Sequence, residues 1–132
     1  MIHYHGTPIT PATAAVRALA GGHAFVSFQH PEQLGLVLDV AQSFAVDNGA
    51  FSAWRGGSPV TDWHPYYEWI GELNRYPSFD FAVIPDVIDG DEHANDVLVA
   101  EWSKTTRGGR QYDLLADAEP ATACASAYGL CE

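Results

Sequence analysis

The residues best equipped for chemistry stand at the ends of short apolar runs. Asp47-Asn48-Gly49-Ala50-Phe51 directly follows Ser43-Phe44-Ala45-Val46. A carboxylate at a strand end acts as acid, base or nucleophile when burial and neighbours tune its pKa. Gly49 permits a sharp turn or a close backbone approach to a ligand, and Phe51 offers a flat apolar surface. The alternative is an Asx-type turn, with Asp47 bonding its own backbone. A second carboxylate, Asp86, ends the run Phe79–Ile84 after Pro85. Adjacent parallel strands lie about 4.8 Å apart, so on neighbouring strands Asp47 and Asp86 face one cavity. Such a pair suits acid–base work or recognition of the N–H donors of a heterocycle. Asp89 is expected to cap the following helix.

The other strand ends are polar too. His5-Gly6-Thr7 ends the first, alternating run and Gln29-His30 follows the second, apolar one, which makes His5 and Gln29 candidate ligand-binding residues beside Asn48, Gly49, Phe51 and Asp86. His3 and His5 alternate along one strand face, but no cysteine or third histidine accompanies them at a ligand spacing, so no metal site is assigned. His23, His64 and His93 read as helix-end or surface residues. Trp63 and Trp69 are expected to pack a long helix, and Trp54 to line a pocket. There is no GxGxxG, P-loop or GxSxG motif, and no cofactor is implied.

These residues need elements to position them. Ile2–His5 alternates as a short strand. Thr10 and Pro11 then offer a cap and a first-turn proline for a helix through Leu19, stopped at Gly21-Gly22. Ala24–Phe28 is the second strand, and Pro31 opens a helix with Leu34, Val37, Leu38 and Ala41 at i, i+3, i+4, i+7. Ser43–Val46 is apolar on both faces, as a buried parallel strand should be. Three glycines and a proline make 47–60 a loop. Thr61 caps a helix over 62–76, Phe79–Ile84 is the fourth strand, and a helix through Val97, Leu98, Ala100 and Trp102 follows. Strands alternating with helices imply a parallel sheet with right-handed crossovers, whose ligands collect at the carboxyl ends of the strands.

The texture changes after Ser103. Residues 1–103 read as one β-α domain. Residues 104–132 read as a divergent alanine-rich tail that begins with a glycine-rich linker and contains one candidate helix over 112–118. At 132 residues and 47% hydrophobic content, with sixteen aromatic residues, the chain can bury a real core. The N-terminus has no signal-peptide pattern and no run is long enough for a membrane span. Cys124 and Cys131 read as reduced thiols of a cytoplasmic protein. A net charge of −11 disfavours independent binding to nucleic acid.

Taken together, residues 1 to about 100 resemble the N-terminal half of a TIM (β/α)₈ barrel of the tRNA-guanine transglycosylase superfamily. The nearest likeness is to compact phage and prophage members associated with 7-deazaguanine modification of DNA. In that family a strand ends in an Asp-Ser-Gly-Gly-aromatic-Gln type motif, and Asp47-Asn48-Gly49-Ala50-Phe51-Ser52 stands in its place. A later strand ends in a base-reading aspartate, which Ile84-Pro85-Asp86 resembles. The resemblance implies that Asp47 is the general acid/base, that Asp86 reads the base and that Phe51 stacks on it. It also implies a purine or 7-deazaguanine as ligand. The family's nucleophilic aspartate has no equivalent in 111–132, and its zinc motif is missing, so base binding is expected rather than complete base exchange. Four parallel strands leave open edges, and a homodimer in which two halves complete a barrel would cover them. Two alternatives remain. Tyr4-His5-Gly6-Thr7 resembles the NAD-binding strand of ADP-ribosyltransferases, whose sheets are largely antiparallel. The acidic charge also suits a non-enzymatic phage-type protein that binds a host partner.

Overall fold

The structure, a computed structural model, describes residues 1–105. Its strands are β1 (Tyr4–Gly6), β2 (His23–Ser27), β3 (Ser43–Asp47) and β4 (Phe79–Ala82). Its helices are α1 (Ala12–Leu19), α2 (Leu34–Val40), α3 (Ala50–Arg55), α4 (His64–Leu73) and α5 (Glu92–Thr105). The strands form one parallel sheet in the order β1-β2-β3-β4. The α/β alternation expected from the sequence is therefore present, with no reversal in strand order. No helix among the described residues is long and apolar enough to cross a membrane.

Period-two alternation decides which face meets the helices. Ala24, Val26, Phe44, Val46 and Phe79 form one core with Leu19 of α1, Val37 of α2 and Tyr66, Ile70 and Leu73 of α4. Unreversed right-handed crossovers put successive helices on one side, and these packing partners agree. The opposite face carries Tyr4, His23, Phe25, Ser43, Asp80 and Phe81. Tyr4, His23 and Ser43 share one register row across three strands. The Tyr4 hydroxyl donates to Asp80 Oδ2 at 2.7 Å, and the Tyr4 and Phe81 rings meet edge-on at 5.4 Å. In a flat sheet β1 and β4 would lie about 14 Å apart, and side chains standing perpendicular to it would not touch. The sheet therefore curls, with this second face concave.

Several expected boundaries shift for identifiable reasons. Pro11 occupies the N-cap of α1 with no side-chain cap bond, so Thr10 is not the cap. Pro31 opens a short 3₁₀ turn, Pro31–Gln33, and α2 begins only at Leu34. Helix α4 starts at His64 rather than at residue 62, because Asp62 Oδ1 accepts the His64 N–H at 3.0 Å. Asp91, not Asp89, caps α5, accepting the Ala94 N–H at 2.9 Å. The stretch read as a loop over 47–60 contains α3. His23, read as a helix-end or surface residue, opens β2 and shares a hydrogen bond with Ser43 Oγ. Helix α5 crosses the expected boundary after residue 103; the candidate helix over 112–118, Cys124 and Cys131 lie outside the described residues.

Candidate functional site

The site grows from the junction of β3 and α3. Asp47 is the last residue of β3, in register with Ser27 of β2. Gly49 follows at φ 73°, the left-handed region that favours glycine, and serves as the N-cap of α3. A Cβ at Gly49 would lie 2.6 Å from Gln29 Cγ and 3.2 Å from the Gln29 backbone nitrogen. The chain leaving β2 thus passes directly over the turn, locked there by the Phe28 N–H donating to the Asp47 carbonyl at 2.9 Å.

Asn48, next to Asp47 in the chain, ties the end of β3 to the segment that carries Asp86. Its side chain is buried, and its Nδ2 donates to the Ile84 carbonyl and to Asp86 Oδ1, each at 2.7 Å. Its Oδ1 accepts the Ala50 N–H at 2.8 Å, helping to start α3. Asn48, expected among the ligand-binding residues, is thereby fully engaged in fixing the ends of β3 and β4. The turn alternative for Asp47 is realised as well, since Oδ2 accepts the Gly49 N–H at 3.1 Å. Even so, burial raises the Asp47 pKa above its ordinary value; the Gly49 hydrogen bond opposes the shift and the nearby charge of Asp86 adds to it. The two carboxylates are therefore close enough to sense each other, as strand adjacency requires.

Asp86 itself is half-buried, on a segment tied to α5. Asn95 Oδ1 accepts the Val87 N–H at 2.9 Å. Tyr66 of α4 donates to the Val83 carbonyl at 2.7 Å, fixing the stretch that leads to Asp86. Neither Asn95 nor Tyr66 shows in its own sequence neighbourhood that it serves this loop. Phe51 and Trp54 occupy successive turns of α3, both exposed, with ring centroids 5.9 Å apart and a 38° tilt. Positions i and i+3 share a helix side, so the pair forms one aromatic surface on the helix that Asp47 introduces.

Two candidates stand elsewhere or play another part. His5 is exposed, in register with Ala24 on the helix-bearing side of the sheet, and one strand separates β1 from β3. It does not join Asp47 and Asp86. Gln29 is exposed and packs over Gly49. Among the described residues no group of three or more His, Cys, Asp or Glu side chains is placed to hold a metal ion. The chain matches no protein-family model, no curated protein and no solved structure.

Proposed function

We propose that the chain binds a neutral guanine-type base, with a 7-deazaguanine as the favoured ligand, at the carboxyl ends of β3 and β4, and that the sheet is half of a (β/α)₈ barrel. The observation that carries the reading is that Asp86, held by the Asn48 side chain, lies near enough to the buried Asp47 for their charges to interact, with the exposed Phe51–Trp54 surface on the helix that follows Asp47. A guanine edge presents adjacent N–H donors, which a carboxylate accepts, and its flat face stacks on an aromatic ring. Burial raises the Asp47 pKa, which makes its carboxylate a readier acceptor for a proton shared with a ring N–H. Asp86 reads the base, and Asn48 holds it in place for that task. The carboxyl end of an unreversed parallel sheet is also where ligands of such folds collect.

A four-stranded parallel sheet counts against the NAD-binding alternative, which expects largely antiparallel strands. Calorimetry with guanine and a 7-deazaguanine tests the reading. We expect saturable binding that Asp86→Ala abolishes. Asp86→Asn keeps an acceptor for the Asn48 amide and so preserves the local fold, yet it should still weaken binding at least about 10-fold through loss of the charge-assisted hydrogen bond. Absence of heat with either base would overturn the proposal.

A further inference from the structure

We infer that two copies of this chain associate head to tail about a two-fold axis, the β4–α5 end of each meeting the β1–α1 end of the other, to close an eight-stranded barrel. The inference rests on the half-barrel reading of the sheet and not on the ligand.

Topology supplies the first argument. Among the described residues β1 pairs only with β2 and β4 only with β3, so the sheet has two open edges. Its helices pack on one face, while the concave face holds Tyr4, Phe25 and Phe81 only half-buried. Parallel sheets occur almost solely with both faces covered, and open edges invite pairing with another chain. Adding β1 of a second copy to β4 of the first continues the parallel order. A two-fold axis along the barrel then makes the second junction identical to the first. Eight strands close a barrel whose interior side chains just fill, and the aromatic rings of the concave face are suited to that filling.

Charge is the second argument, and it is independent of topology. No carboxylate precedes Glu32, and residues 1–31 carry the cation Arg17. From Asp80 to Glu101 there are seven carboxylates and no Lys or Arg; Lys104 is the first cation beyond them. The proposed junction sets the acidic end of one copy against the carboxylate-free end of the other. Like-end pairing would oppose two acidic surfaces.

The exposed apolar side chains fall in the same places. Among the described residues, apart from the Phe51–Trp54 pair, the large exposed hydrophobics are Met1 and Ile2 beside β1, Val16 on α1 and Val97 on α5. Helix α5 follows β4 and α1 follows β1, so barrel closure makes these two helices neighbours. Val97 is 52% and Val16 41% exposed in the single chain, and both would be covered.

Sedimentation equilibrium of the full chain, without any base, from about 1 to about 200 µM tests the pairing over the range of moderate affinities. We expect the weight-average mass to rise from 14.3 kDa toward twice that value. Val97→Asp and Arg17→Glu, both at exposed positions, should each weaken association about 10-fold or more with an unchanged circular dichroism spectrum. A chain that stays monomeric throughout overturns the pairing, as does a dimer indifferent to both substitutions. A chain that dimerises but binds no base supports the pairing and overturns only the ligand reading. One that binds a base while still monomeric at the highest concentration overturns the pairing alone.

Discussion

Asp47 combines two roles that are usually separate, closing a tight turn and carrying a titratable group tuned by burial. Its folded pKa lies above the ordinary 3.8, chiefly from burial. As pH rises, the unfolded chain loses this proton first, so stability falls from about pH 3.8 up through the folded pKa and stays lower above it. Asp47→Asn removes the charge while keeping an oxygen for the Gly49 N–H. We expect the variant to be more stable than the parent at pH 7, with the difference closing as pH falls below 4, in urea unfolding series at each pH. Asn48 has the opposite character. Asn48→Ala would strip the Ile84 carbonyl and the Ala50 N–H of their partner in a buried setting, costing about 2–3 kcal/mol, readable as a lower urea midpoint. The candidate carboxylates were legible from their positions at the ends of apolar runs. The role of Asn48 was not, because its partners lie 36 and 38 residues along the chain and only the pairing of β3 with β4 brings them near.

At the scale of elements, α3 is the clearest departure from the sequence reading. Glycines at 49, 56 and 57 and a proline at 59 suggest a loop, yet six residues between them form a helix. The reason is local. Gly49 takes the positive φ that turns the chain, and the Asn48 side chain satisfies the Ala50 N–H, one of the donors a helix start leaves unpaired. The helix matters because it sets Phe51 and Trp54 side by side instead of leaving them on a loop. Phe51 is the more exposed ring, so Phe51→Ala should move the thermal midpoint little, whereas Trp54, only 39% exposed, gives up buried area and Trp54→Ala should lower the midpoint by several degrees. If the pair is the stacking surface, each should weaken base binding by about 1–3 kcal/mol, roughly 5- to 150-fold by calorimetry. The strands were more legible, because alternation and apolar content are direct consequences of which face is buried. Helix starts shifted by a few residues wherever a capping carboxylate, such as Asp62 or Asp91, set the first turn.

For the whole molecule, the parallel order follows from the strand–helix rhythm, but the curl of the sheet does not. Curl depends on contacts such as Tyr4 with Asp80, 76 residues apart, which no local pattern encodes. Net charge was readable at once and constrains what the site receives. A binder of duplex or single strands gains most of its affinity by displacing counterions from phosphates with Lys and Arg. This chain has six Lys and Arg against seventeen carboxylates, and three of the six fall between residues 104 and 110. A free base carries no phosphate and meets no such penalty at Asp47 and Asp86. The two ligand types should therefore separate by their response to salt. We expect base binding, measured by calorimetry, to change less than about two-fold between about 50 and about 300 mM salt, because a neutral ligand releases no counterions. An oligonucleotide carrying the same base should show no saturable binding by fluorescence anisotropy below about 100 µM at physiological salt, weaker than ordinary non-specific binders. Tight, salt-sensitive oligonucleotide binding would show instead that a cationic surface overrides the acidic charge, and the ligand would then be the polymer.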